Sequence, residues 1–105
     1  MLNQVILVGR LTSDIKVVKD ENGAKYAVIT LAIPRNFKNA DGEYDTDFIS
    51  AIAYDNVAAN TAEYVAQGDI VGIKARAAKT SQDSELQIIA EKVTFLSKGK
   101  SEESE

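Results

Sequence analysis

The sequence predicts an all-β domain interrupted by one short α-helix. Three observations carry this: five stretches with apolar residues at alternating positions, glycine-bearing turn pairs between strands, and one stretch, residues 56 to 67, that changes to helical spacing. At 105 residues the chain makes one domain, with a core that is adequate but not generous, so help from self-association would fit.

Residues 3 to 12, NQVILVGRLT, are short and β-branched and read as the first strand. Both parities are apolar, Val5, Leu7 and Leu11 on one and Ile6 and Val8 on the other, so both faces are expected to be covered, one of them by another subunit. IKVVK and YAVITLAIP flank Asn22-Gly23, a preferred type I′ pair, and predict a hairpin. In its second arm Ala27, Ile29, Leu31 and Ile33 share one face and Tyr26, Val28, Thr30 and Ala32 the other, while Pro34 marks where the strand leaves the regular sheet.

A second turn, Asp41-Gly42, leads into TDFISAIAYD, which places Phe48, Ser50, Ile52 and Tyr54 together. Helical spacing then sets Val57, Thr61, Tyr64 and Val65 on one side, with Asn56 as N-cap and Gly68 just past the end. DIVGIKARAAK returns to period two, with Val71, Ile73, Ala75 and Ala77 inward and Lys74 and Arg76 outward. After the polar turn SQDSE, LQIIAEKVTFL forms the last strand. The domain is expected to run from 1 to 97, with 98–105 as a short flexible acidic tail. Five strands with a helix between the third and fourth is the order of the OB-fold, a five-stranded Greek-key barrel. Periodicity alone is shared with other small all-β folds.

Composition excludes several classes of function. The absence of Cys and His removes disulfides, thiolate metal sites, the commonest general base and the commonest metal ligand. Neither a cofactor nor a metal is expected, and no catalytic residue is assigned. Asp41, Glu43, Asp45 and Asp47 alternate along DGEYDTD, but without the order of a calcium loop they read as an acidic hairpin tip. Gly9, Gly72 and Gly99 stand singly and make no phosphate loop. The longest aliphatic run, Val5 to Val8, is far below the ~20 residues of a membrane span, so no membrane partner and a cytoplasmic location are expected. A net charge of −4 counts against a purely electrostatic nucleic-acid binder, although a local basic stripe can still neutralise phosphates.

The segment IPRNFKN puts Phe37 between Arg35 and Lys38. A two-residue turn at Asp41-Gly42 would set Phe37 opposite Thr46 and Phe48 opposite Arg35, making the two phenylalanines diagonal neighbours. Tyr54 lies on the face of Phe48, roughly 20 Å along the strand. Such a line of rings, bordered by Arg35, Lys38 and Arg10, suits single-stranded nucleic acid: unpaired bases stack on rings, and cations neutralise phosphates. The strand pattern alone favours the core for Phe48 and Tyr54 and leaves Phe37 open between loop packing and a site. It assigns Tyr64 and Phe95 to the core. Lys74, Arg76 and Lys79 read as a solvated face or as further phosphate contacts.

LNQVILVGRLTSD, the NG hairpin, ITLAIPRNFKN, DFISAIAY, NTAEYVAQGDIVGI and the ending VTFL resemble, in this order, the bacterial and phage single-stranded DNA-binding protein family, from Leu2 to Leu96. The resemblance implies an OB-fold homotetramer, or a dimer, that binds single-stranded DNA with little sequence preference in replication, recombination and repair. It puts Phe37, Phe48 and Tyr54 on base-stacking positions, reversing the core assignment of the last two, and Arg10, Arg35 and Lys38 near the backbone-contacting region. The sequence departs from the family at Ser81 and Gln82, where a stacking aromatic is frequent, and at Asp55, Ala66 and Gln67, where basic residues are common. Each loss predicts weaker binding or fewer bases held. KSEESE has acidity without a terminal Phe, so tail-mediated replication partners are not expected and a specialised or phage-encoded version fits. The alternative reading is an OB-fold protein-interaction module with weak DNA affinity. A hydrolase stands third, for want of a nucleophile and base with supporting spacing.

Overall fold

The computed structural model describes residues 1–79 and 85–98. The chain runs β1 (Val5–Leu11), β2 (Val18–Lys19), β3 (Lys25–Lys38), β4 (Tyr44–Tyr54), α1 (Asp55–Tyr64), β5 (Ile70–Lys79) and β6 (Leu86–Ser97). The turn with Ser81 and Gln82 and the expected tail beyond Lys98 lie outside the described residues.

The strands are ordered β1-β5-β6-β4-β3-β2, and an added β1–β3 pairing closes the five long ones into a barrel. All long-strand pairings are antiparallel except β4 with β6, where Ile52 meets Ile89 in parallel. With α1 between the third and fourth long strands, this is the OB-fold. Of the IKVVK arm, only Val18 and Lys19 pair with β3.

Inward parities build the core as the alternation predicts: Leu7 and Leu11 from β1, Ala27, Ile29 and Leu31 from β3, Ala51 and Ala53 from β4, and Val71, Ile73 and Ala75 from β5. Ala58, Thr61 and Val65 cover one end. To join two neighbours, β1 passes close over β3 at Gly9. A Cβ there would come within 2.7 Å of the Ala32 carbonyl oxygen and of Ile33 Cγ1, so only glycine fits without displacement.

Both hairpins differ from the expected two-residue turns. Asp20 N–H bonds to Ala24 O and Gly23 N–H to Asp20 O, while Asn39 N–H bonds to Glu43 O and Gly42 N–H to Asn39 O. Each loop therefore has three residues, with the left-handed position at Gly23 (φ 86°) or Gly42 (φ 81°) rather than at Asn22. The cause is the side chain at the loop's entry. Asp20 Oδ1 accepts from the N–H of Asn22 and Ala24, and Asn39 Oδ1 from the N–H of Asp41 and Glu43, which fixes the wider turn.

The register follows from this. Ala32 pairs with Phe48, Pro34 with Thr46, and Lys38 with Tyr44. Between Pro34 and Lys38 the ladder shifts, as four steps on β3 match two on β4, so Phe48 is opposite neither Arg35 nor diagonal to Phe37 as expected. Pro34 does mark the departure from regular pairing, because it has no N–H to donate.

The helix is also shorter than its spacing suggested. It starts at Asp55 with Tyr54 in the N-cap position, so Asn56 lies inside its first turn. It stops at Tyr64 because the next backbone groups have other partners: Asp69 Oδ2 takes the Ala66 N–H, Asp14 Oδ1 the Gln67 N–H, and Gly68 N–H bonds to Leu11 O. Gly68, with φ 95°, serves this loop rather than the helix end. Tyr64 and Phe95, assigned to the core by pattern, are 70% and 44% exposed. Alanine and threonine fill the inner face of α1 in place of the Tyr64 ring.

Candidate nucleic-acid interface

The outward parity of β3 and β4 forms a continuous open face. Directly paired residues project to the same side of a sheet, so cross-strand partners define rows across it. One row runs Arg10–Ala32–Phe48 over β1, β3 and β4. The next pairs Thr30 with Ser50, whose hydroxyl oxygens lie 2.8 Å apart in a hydrogen bond. Below it, Val28, Ile52, Ile89 and Arg76 line up over β3, β4, β6 and β5. The last row pairs Tyr26 with Tyr54, with ring centroids 6.5 Å apart and planes tilted by 48°. Phe48 and Tyr54 thus bound a stretch of β4's outer face, with the Thr30 and Ser50 hydroxyls and the Val28 and Ile52 side chains between them.

All three candidate rings are open to solvent: Phe37 is 63%, Phe48 68% and Tyr54 41% exposed. The core assignment of Phe48 and Tyr54 drawn from strand pattern is overturned by barrel closure, which commits the opposite parity of β4 to the interior. Phe37 stands apart from the Phe48 row, on the irregular stretch beyond Pro34.

The cations divide by partner. Arg10 extends Nη1 to the Gly68 carbonyl at 2.7 Å, which holds its stem at the edge of the Phe48 row. Lys38 places Nζ 5.9 Å from the centroid of the Tyr44 ring. Arg35 is engaged by acids: Nη2 and Nε donate to Asp47 at 3.0 and 3.2 Å, and Asp45 lies at 3.9 Å. The hydrogen bond from this guanidinium, reinforced by its charge, holds the Asp47 carboxyl below its ordinary value, and Asp47 in turn raises Arg35. Asp45 also accepts from Asn39 Nδ2 at 2.9 Å. Arg76 meets Glu91 at 3.4 Å. Lys74 and Lys79 are exposed on β5, Lys74 in a row with Ile6 away from the aromatic face.

Tyr26, Thr30, Ser50 and Ile52 also line this face. The alternation of β3 had already put Tyr26 with Val28, Thr30 and Ala32. What alternation could not give was the β3–β4 register, which sets the Tyr26 ring beside Tyr54.

An OB barrel with solvent-exposed rings on this sheet belongs to the class of small β-barrels whose open face takes oligonucleotides or oligosaccharides. Residues 2–96 match the Single-strand binding protein family, and the chain belongs to it. It is 38% identical over 103 residues to Single-stranded DNA-binding protein B of Bacillus subtilis (strain 168), a match covering 91% of each chain. Single-stranded DNA-binding protein 2 of Staphylococcus aureus (strain COL) is 35% identical, with 91% of this chain and 74% of that one covered. The Single-stranded DNA-binding protein of Halalkalibacterium halodurans is 38% identical, and there the match spans 61% of the relative's length.

Proposed function

We propose that this protein binds single-stranded DNA without sequence preference, serving replication, recombination or repair. Bases stack on Phe48, Tyr54 and Phe37, and backbone phosphates meet Arg10, Lys38 and Arg76, with Arg35 and Lys79 as further contacts, while Lys74, which shares its row with Ile6, is left to the contact between copies. The observation that carries this reading is the Phe48 ring, more than two-thirds exposed, in line with Arg10 across Ala32. A ring so placed gives up apolar burial, and a base supplies what the core does not. No chemistry at a bond is invoked.

The binding unit is residues 1–97, working as a homo-oligomer in the cytoplasm. Ile6 and Val8 support self-association: both lie on the outer face of β1, both are exposed, and Leu96 of β6 approaches the same region beside Gly72. Among the described residues, no helix is long and apolar enough to cross a membrane.

Titration of a fluorescent oligothymidine at low and moderate salt tests the function. Saturable binding that weakens with salt is expected, and no binding at micromolar protein in low salt overturns it.

The second reading, a protein-interaction barrel with weak DNA affinity, draws on the acids beside the cations: Asp47 and Asp45 on Arg35, and Glu91 on Arg76. Weak titration together with DNA-independent retention of replication proteins would favour it.

A further inference from the structure

Beyond Tyr54 the aromatic face continues. Tyr26 pairs with Tyr54 on one side and with Val18 of β2 on the other, so the row crosses β4, β3 and β2. Tyr26, Val18, Val28 and Lys16 line a shallow open hollow with Ser13 and Asp14. Val18 and Val28 are both exposed, which gives the hollow an apolar floor. Asp14 is turned to other work, with Oδ1 accepting the Gln67 N–H at 2.8 Å. Lys16 supplies the hollow's cation.

We propose that Tyr26 is an additional base-stacking residue and that Lys16 takes a phosphate beside it, so that the bound single strand passes Tyr54 and continues into this hollow. This rests on the single-stranded DNA reading and extends its footprint. The two rings are 6.5 Å apart, within the range of aromatic contact, so together they form one continuous platform on which a strand that reaches Tyr54 can go on to Tyr26. Their 48° tilt means that bases stacked on the two rings lie in different planes. The floor of valines receives the edge of the second base, and the ammonium at the rim balances its phosphate.

The test uses the intact protein with two oligothymidines, one too short to span from Phe48 to Tyr26 and one long enough to do so. Y26A is expected to weaken the longer strand roughly five- to hundred-fold and the shorter one less, while Y26F keeps most of the affinity. The same loss on Y26A is expected in a Y54A background. K16Q is expected to flatten the slope of log affinity against log salt by roughly 0.7. If wild-type protein binds but Y26A leaves the longer strand unaffected, the subsite is refuted. If Y26A costs nothing once Tyr54 is gone, Tyr26 is only a prop for its neighbour. An unchanged K16Q slope removes Lys16 from the path. Failure of the wild type to bind either strand overturns the functional reading and the subsite together.

Discussion

Arg35 and Asp47 hold each other across the β3–β4 arm, with two guanidinium nitrogens donating to one carboxylate at 3.0 and 3.2 Å. The fork that would grip a phosphate is therefore already occupied by an acid of the same hairpin. Nucleic acid must compete with Asp47 for Arg35. Asp47→Asn should tighten oligothymidine binding and steepen its salt dependence by roughly 0.7, one phosphate contact on a single strand. Unchanged affinity and slope would make the pair a brace for the long hairpin arm and nothing more.

The same pair has a pH signature. Because Arg35 holds the Asp47 carboxyl below its ordinary value, the pair's contribution to stability is fully present above the carboxylate's unfolded-state value. It is lost as pH falls through the lowered native one. Carboxyl titration by NMR should give Asp47 a midpoint that rises in Arg35→Ala. A midpoint indifferent to Arg35 would show that the ion pair does not persist in solution.

Phe48 is expected to act on binding without acting on folding. Phe48→Ala should cost about 1–3 kcal/mol in oligothymidine affinity while the melting temperature stays near wild type, because most of the ring is already in water. A large fall in melting temperature with affinity preserved would return the ring to a packing role.

Gly9→Ala should do the reverse. Its added methyl group meets a backbone oxygen at 2.7 Å, and backbone cannot swing aside as a side-chain tip can. Prising β1 from β3 at the closure of the barrel should cost about 1–3 kcal/mol, measured by denaturant unfolding. It should also loosen the Arg10–Ala32–Phe48 row, since Gly9 neighbours Arg10 and faces Ala32.

The outer face of β1 is the proposed contact between copies. Replacing both Ile6 and Val8 by Lys should lower the native mass by light scattering and leave the β-type circular dichroism intact. A native mass equal to wild type would place the contact elsewhere.

The five barrel strands, the inward residues of β3 and β5, and the position of the helix were legible in the sequence. Alternation is a local property that the chain must obey wherever it buries one face. The family resemblance was legible too, through motifs in order. Other features were not. Asp20 and Asn39 each widened a hairpin turn by one residue, and the turn at Asn39 together with the ladder shift after Pro34 moved Phe48 from Arg35 to Ala32. Alternation says that Phe48 and Tyr54 share a face, but it is silent on which face is inside. Closure of β1 onto β3 decided that, by enclosing Ala51 and Ala53 and leaving the rings outside. The placing of Tyr26 beside Tyr54 and of Asp47 on Arg35 was likewise decided only in three dimensions, because both depend on register between strands and not on spacing within one.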